Sequence, residues 1–177
     1  MYDGDKEALI KQCNNMRSGD EDELWDLVAQ GINIDVRDEW GNTALIHAAL
    51  NGSLEAVQEL IRAGAALDVQ KRNDYADKGC NGYTALACAA MNGHLEAVQE
   101  LIRAGAALDV RVYPFPRSPG MTALELAQEA DNAEIAAMLR EAGARCDKGY
   151  KRSGVFNSTC KWCGGKRLGH GKQRRVG

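Results

Sequence analysis

One segment of sixteen residues occurs twice in this chain without a single difference between the copies. Residues 54–69 and residues 95–110 both read LEAVQELIRAGAALDV, and their starts lie 41 residues apart. The similarity extends upstream, where residues 42–52 (NTALIHAALNG) correspond to residues 83–93 (YTALACAAMNG). A sequence that repeats at this interval indicates an array of stacked repeats, in which each unit buries its apolar face against its neighbours.

Each unit of this repeat predicts two helices joined by a tight turn. Thr43 is the expected N-cap of the first helix, because its side-chain oxygen can accept a hydrogen bond from an amide of the first turn. Gly52 is expected to end that helix, since glycine tolerates the left-handed backbone conformation that a tight stop requires. The second helix is expected to run from Ser53 to Gly64. Its apolar residues follow a helical spacing at Leu54, Val57, Leu60 and Ile61.

Extending the pattern in both directions divides residues 1–147 into four units. Their approximate bounds are 5–36, 37–69, 78–110 and 116–147. The second unit reads G-N-T-A-L-I-H-A-A, then N-G, then L-E-A-V-x-x-L-I-x-x-G-A, and this motif resembles the ankyrin repeat. That family opens its first helix with T-P-L-H-x-A in a unit of about 33 residues. The resemblance implies an all-α solenoid of helix-turn-helix repeats with extended finger loops.

Two residues of the ankyrin signature are altered in this chain. The proline is replaced in three units by alanine, at Ala44, Ala85 and Ala123. The histidine is kept at His47 but becomes Cys88 and Leu126 in the next two units. In the ankyrin family this histidine usually bonds to backbone between neighbouring repeats. We therefore expect its loss to weaken local order, and we assign it no catalytic role.

The units are also longer than the family's period of about 33 residues. Gly41 and Gly82 lie 41 residues apart, and Gly82 and Gly120 lie 38 apart, while the helices align without gaps. The extra residues therefore belong to two enlarged finger loops, residues 70–81 and 111–120. All three prolines fall in the second finger. This composition predicts a stiff extended loop, because proline lacks the donor that a strand interior needs.

The resemblance implies that the protein binds another protein through a concave face made of finger tips and first-helix faces. The fingers are rich in aromatic residues and arginine, which dominate the hot spots of protein interfaces. The alternative is that some of these side chains pack against their own loop. The residues that we expect to contact the partner are Arg37, Glu39, Trp40, Arg72, Asp74, Tyr75, Tyr83, Arg111, Tyr113, Phe115 and Arg117.

The sequence contains no recognisable catalytic constellation. Neither a G-x-G-x-x-G loop nor a Walker loop is present. His47 and His94 stand at positions that are structural in ankyrin repeats, and carboxylates such as Glu55 and Glu59 are spaced as on a solvated helix face. We therefore expect no enzymatic activity, no small-molecule substrate, and no cofactor apart from the zinc considered below.

Charge is distributed unevenly along the chain. All 25 acidic residues and 13 of the 22 basic residues precede Lys148, which leaves a net charge of −12 on residues 1–147 and +9 on residues 148–177. This short, irregular basic extension with interleaved aromatics is typical of a segment that binds polyanions such as RNA. A disordered tail, or one folded back on the acidic body, is the alternative. The candidate polyanion contacts are Lys151, Arg152, Lys161, Trp162, Lys166, Arg167, Arg174 and Arg175.

The extension also contains one C-x-x-C-G motif, which resembles half of a zinc ribbon. A structural zinc site needs four ligands, and Cys160 and Cys163 supply two of them. His170 and Cys146 are the other candidates, although the four residues follow no standard spacing. A redox dithiol is a further alternative, but no βαβ pattern surrounds the motif. Zinc is therefore a candidate cofactor.

Nothing in the sequence indicates export or membrane insertion. The first ten residues, MYDGDKEALI, are acidic and lack the apolar region of a signal peptide, and no apolar run is long enough to span a bilayer. Six cysteines without an export signal are expected to be reduced thiols. We expect a soluble protein of the cytoplasm, or of the nucleus or a large complex.

These observations favour a non-enzymatic scaffold that binds a macromolecular partner through its concave face and finger loops. The alternative is a structural subunit of a ribonucleoprotein or another large assembly, anchored by the basic tail. In both hypotheses specificity lies outside the two identical segments, because identical helices present identical surfaces.

Overall fold

The structure is a computed structural model that describes Asp26 and residues 31–71, 82–113 and 120–145. The chain divides into two units, residues 1–146 and residues 147–177, and every described residue lies in the first. The basic extension and most of the predicted repeat at residues 5–36 therefore lie outside the described residues.

The described ranges contain six helices, which follow one another as three hairpins. No sheet occurs in these ranges, where the strand-type pairing is an isolated antiparallel bridge between Val112 and Met121. The all-α, helix-turn-helix prediction is confirmed. The helices are α1 (Ala44–Asn51), α2 (Leu54–Arg62), α3 (Ala85–Asn92), α4 (Leu95–Arg103), α5 (Ala123–Glu129) and α6 (Ala133–Glu141).

The three hairpins stack in two rows of helices. In the first row α3 packs against both α1 and α5, and in the second row α4 packs against both α2 and α6. Leu45, Leu86 and Leu124 stand at equivalent positions of the first row, and each is at most 1% exposed. The core is therefore one continuous layer that runs through all three hairpins, as expected of a solenoid.

Threonine caps begin the first helix of every described hairpin. The side-chain oxygens of Thr43 and Thr84 each accept a hydrogen bond from the amide three residues later, at 3.3 Å. Thr122 completes a capping box, because Glu125 donates its amide to the Thr122 hydroxyl and accepts the Thr122 amide at its own carboxylate. These caps start all three first helices in the same register, which the sequence alignment predicts.

Three aspartates at equivalent positions link successive turns along the array. Each carboxylate accepts a hydrogen bond from a backbone amide one repeat further on, and we call this set the aspartate ladder. Its bonds join Asp35 to Ala66 at 2.9 Å, Asp68 to Ala107 at 2.8 Å and Asp109 to Arg145 at 3.4 Å. The identical segments therefore supply both the acceptor and the donor that connect one hairpin to the next.

The third hairpin departs from the other two at its helix turn. Gly52 and Gly93 end α1 and α3 with φ values of 70° and 83°, whereas Asp131 takes the equivalent position with φ of 61°. An L side chain in this left-handed region costs about 1 kcal/mol, which glycine avoids.

We expect Asp131→Gly to raise the free energy of unfolding by about 0.5–1 kcal/mol, because it removes this backbone strain. Urea denaturation measures the change. Asp131→Ala is the matched control and should lower stability instead, since alanine tolerates the left-handed region less well than aspartate. A loss of stability with glycine would show that the aspartate side chain outweighs the strain.

Candidate interaction groove

A cavity of about 470 Å³ lies along the face of the first helices. It is lined by residues of α1, α3 and α5, by the residues that directly precede their threonine caps, and by one lysine at the base of a finger. We call this cavity the first-helix groove. Its lining residues are Asn42, Leu50, Lys71, Tyr83, Cys88, Met91, Met121, Leu126, Glu129 and Ala130.

The groove is built from columns of repeat-equivalent positions occupied by different residues. The position before the threonine cap is Asn42, Tyr83 or Met121. The position seven residues after the cap is Leu50, Met91 or Glu129. None of the lining residues belongs to the identical segments at 54–69 and 95–110. The constant segments therefore form the scaffold, and the variable positions form the groove.

Tyr83 lies in the groove, and the expectation that it stands exposed at a finger tip is wrong. Its side chain is 6% exposed, and its hydroxyl donates to the sulfur of Met91 at 3.9 Å. The reason is the closure of the finger. The amide of Lys71 donates to Tyr83 and the amide of Gly82 donates to Lys71, both at 2.8 Å, so the chain returns to the helices before Tyr83.

The same closure explains why sequence reasoning missed Lys71. Its backbone pairs with the far side of the enlarged finger, which brings Lys71 beside Tyr83 on the groove. Sequence reasoning also misses Met91, Met121 and Glu129 as residues of the groove. A comparison of the three units at the positions before and after each threonine cap contains the signal for them. These two columns differ in all three units, whereas their neighbours are the same in at least the first two.

Trp40 and Tyr113 are the large apolar side chains that stand exposed among the described residues, at 54% and 48%. Trp40 lies two residues before Asn42, and its amide donates to the Asp38 carboxylate at 3.0 Å. Tyr113 follows the bridge that closes the second enlarged finger. Glu39, the neighbour of Trp40, is exposed as well. These side chains are placed where a bound partner could reach them.

Arg37 and Arg111 are exposed, but their guanidinium groups also connect backbone segments at the finger bases. Arg37 donates to the carbonyl of Gln70 at 2.8 Å, and Arg111 donates to the carbonyl of Gly120 at 2.9 Å. Gln70 stands one repeat after Arg37 and donates in turn to the carbonyl of Arg111 at 3.2 Å. Both arginines therefore stabilise the fingers, besides any contact that they make with a partner.

Asp38 organises the finger that carries Trp40. Its carboxylate accepts hydrogen bonds from His47 Nε2 at 2.7 Å, from the backbone and side-chain amides of Asn42 at 2.7 and 3.0 Å, and from the Trp40 amide. Burial acts to raise the pKa of Asp38, but the bonds from His47 and Asn42 outweigh it and hold the pKa below its ordinary value. Asp38 is therefore a charged acceptor at neutral pH.

His47 and His94 both have structural partners. His47, on α1, bonds to Asp38 in the finger of its own repeat. This bond differs from the backbone bond between repeats that the family resemblance implies. His94 donates from Nε2 to the carbonyl of Leu50 in the preceding hairpin at 3.0 Å. Asn132, at the equivalent position one repeat later, donates to the carbonyls of Ala90 and Met91. The hydrogen bond between neighbouring repeats is thus made by the residue that precedes the second helix, His94 or Asn132, and not by the residue at the position of His47.

The family model for ankyrin repeats (3 copies) matches residues 13–112 and 68–150. The chain belongs to the ankyrin repeat family. No curated protein matches the sequence significantly. Ankyrin repeats generally mediate protein–protein interactions and are typically not enzymes.

Within this ankyrin array, the first-helix groove lies on the face formed by the first helices and the bases of the fingers.

Among the described residues no group of three or more His, Cys, Asp or Glu side chains could hold a metal ion. Within the same ranges no helix has the length and apolar character needed to cross a membrane.

Several predicted site residues of this ankyrin protein lie outside the described residues. In the fingers these are Arg72, Asp74, Tyr75, Phe115 and Arg117. The candidate polyanion contacts outside the described residues are Lys151, Arg152, Lys161, Trp162, Lys166, Arg167, Arg174 and Arg175. The candidate zinc ligands Cys146, Cys160, Cys163 and His170 lie outside them too, and the zinc site stays a prediction.

Proposed function

We propose that this ankyrin array recognises another protein through the first-helix groove and the finger loops beside it. The observation that carries the proposal is the contrast between the two rows of helices. The second helices of two hairpins are identical and do not line the groove, whereas the columns of the groove differ from hairpin to hairpin. A surface whose side chains differ from repeat to repeat is suited to recognise a particular partner.

The composition of the groove supports a protein ligand. Leu50, Met91, Met121 and Leu126 give it apolar walls, and the unbranched side chains of methionine adapt to the shape of what they contact. Its volume of about 470 Å³ falls within the range of roughly 300–1,000 Å³ typical of ligand pockets. Apolar side chains of a partner can therefore be buried there.

The exposed finger side chains extend the same surface. Trp40 precedes the groove residue Asn42 by two positions, and Tyr113 is joined through the bridge at Val112 to the groove residue Met121. Tyrosine and tryptophan are enriched in interface hot spots because they bury large areas. In this proposal Trp40, Tyr113, Arg37, Glu39 and Arg111 contact the partner at the rim of the groove.

Met91→Glu should reduce capture of partner proteins at least about tenfold. It places a carboxylate in the apolar wall of the groove, and a bound partner would strip that charge of water without offering it a counter-charge. The measurement is quantitative mass spectrometry of proteins captured from a cell lysate by wild-type and variant chains. Met138→Glu is the matched control. Met138 is also a half-buried methionine, but it lies on α6 outside the groove.

Both variants must first show the helical content and thermal transition of a folded array. Equal capture by Met91→Glu and wild type would contradict the proposal.

The alternative function, an anchor to a ribonucleoprotein or another large assembly, rests on residues 148–177 outside the described residues, and it stays a prediction.

A further inference from the structure

The first-helix groove has opposite charges at its two ends. Lys71 lines it at the finger side, beside Tyr83, which precedes the threonine cap of α3. Glu129 lines it at the other side and is the last residue of α5. The groove therefore runs along the first helices from a positive end at their N-termini to a negative end at their C-termini.

Neither end charge is neutralised within the described part of the chain. The ion pairs found there join His47 to Asp38 and two arginines to glutamates on the second helices. The side chains of Lys71 and Glu129 make no ion pair or hydrogen bond with the described residues. Both are thus available to an occupant of the groove.

One exposed charge beside each end has the same sign as that end. Arg111 is exposed at the finger bases on the side of Lys71, and Asp131 is exposed two residues after Glu129. Three opposing charges, Asp38, Glu39 and Glu125, stand on the finger side, but none of them lines the groove. The carboxylates of Asp38 and Glu125 accept hydrogen bonds within their own repeats. The polarity of the groove is therefore that of the two charged residues that line it, Lys71 and Glu129.

The length of the first helices sets the spacing that an occupant must match. α3 has eight residues, which span about 12 Å at roughly 1.5 Å per residue. Glu129 lies on the neighbouring first helix, about 9 Å to the side, so the diagonal between the two ends is about 15 Å. Four residues of an extended chain advance about 13 Å, and the flexible side chains of Lys71 and Glu129 can cover the remainder. The two charged residues of an occupant therefore stand four positions apart. The apolar wall between the ends includes Leu50, Met91 and Leu126.

We infer that the occupant is an extended segment of a partner protein with an acidic residue and a basic residue four positions apart and a large apolar residue between them. The acidic residue pairs with Lys71, the basic residue pairs with Glu129, and the apolar residue lies against Met91. This inference rests on the proposed function and adds the chemistry of the partner to it.

Three labelled nine-residue peptides test the polarity by fluorescence anisotropy with the full chain in physiological salt. The first is Ser-Gly-Asp-Ala-Leu-Ala-Lys-Gly-Ser, the second has Asp at both charged positions, and the third has Lys at both. We expect the first to bind the wild type about fivefold more tightly than either of the others, since one exposed ion pair contributes up to roughly that factor.

Charge reversal at one end should redirect the preference. Lys71→Glu makes both ends acidic and should favour the peptide with two lysines, whereas Glu129→Lys should favour the peptide with two aspartates. The controls are Arg103→Glu and Glu96→Lys, which make the same charge changes on α4, outside the groove. Both controls should keep the wild-type preference, and any attraction of the peptides to the basic extension is the same in every variant.

Preferences that do not follow the reversals, or absence of binding by all three peptides at millimolar concentration, would overturn the inference. If all three peptides bind the wild type equally and Met91→Glu abolishes binding, the groove is a docking site without the inferred polarity. Failure of the proposed function would be seen separately, as unchanged capture of partner proteins by Met91→Glu.

Discussion

Gly52→Ala is expected to lower the free energy of unfolding by about 2–4 kcal/mol, the largest effect that we predict for a single added methyl group. Two causes add at this position. Gly52 has φ of 70°, which an L residue rarely adopts. A Cβ atom there would also lie 2.3 Å from Nδ1 and 2.6 Å from Cε1 of His94 in the next hairpin.

His94 cannot easily move away from an added methyl group at position 52. Its Nε2 donates to the carbonyl of Leu50 at 3.0 Å, and this bond fixes the ring over the turn that contains Gly52. Either that bond must break or the two hairpins must separate. Both changes loosen the contact between repeats, on which the stability of a solenoid depends.

The other glycines of the array separate the two causes. Gly64 has φ of 84° but no atom within 4 Å of an added Cβ, so Gly64→Ala should cost only the backbone strain of about 1 kcal/mol. Gly93 lies between these cases, with the nearest atom, Oδ1 of Asn132, at 3.2 Å. Urea unfolding should therefore rank the losses Gly52, Gly93, Gly64.

A double variant checks the mechanism of the Gly52 effect. Combined with His94→Ala, the Gly52→Ala change should lose only about the strain seen at Gly64, because the atoms that it meets are gone. Equal effects of Gly52→Ala and Gly64→Ala in the wild-type background would instead show that the hairpins adjust freely around the added methyl group.

Asp38→Ala is expected to lower the free energy of unfolding by about 2–3 kcal/mol at pH 7. The change leaves His47, the Trp40 amide and both amide groups of Asn42 without their acceptor. A hydrogen bond to a charged group contributes about 1.5–3 kcal/mol, but water can replace part of this loss at the finger. Glu39→Gln, an exposed neighbour, is the control and should change stability by less than about 0.5 kcal/mol.

The Asp38 contribution should also depend on pH in a defined direction. Because the pKa of Asp38 in the folded protein lies below its ordinary value of 3.8, its carboxylate stabilises the folded state above about pH 4. That stability is lost as the pH falls through the folded pKa. The difference in unfolding free energy between wild type and Asp38→Asn should therefore persist from pH 7 to pH 5 and shrink below about pH 4. A difference that grows on acidification would contradict the assignment.

Sequence reasoning predicts the helices of this protein well because their signals are local. Thr43, Thr84 and Thr122 cap the first helices of successive repeats, and Gly52 and Gly93 end the first two of these helices with positive φ. Each of these positions is decided by hydrogen bonds or backbone conformation within a few residues. The bounds of α1 and α3 follow from such contacts alone.

The groove could not be predicted in the same way, because it depends on contacts between distant residues. Lys71 joins the groove only through its backbone bonds to Gly82 and Tyr83 across the finger. These same bonds withdraw Tyr83 from the exposed position that its aromatic character suggested. His47 likewise bonds to Asp38. The fold of the finger places Asp38 there, so the sequence of α1, which carries His47, does not indicate this partner.

The aspartate ladder makes the junctions between hairpins interchangeable. Asp68 meets Ala107 just as Asp35 meets Ala66, so a hairpin copied together with its finger would find matching partners on either side. The array can therefore grow by duplication of a whole unit, and two identical sixteen-residue segments are what such an event would leave. Every added unit would lengthen the groove by one row of side chains, and under the proposed function the number of units would set how long a stretch of the partner is recognised.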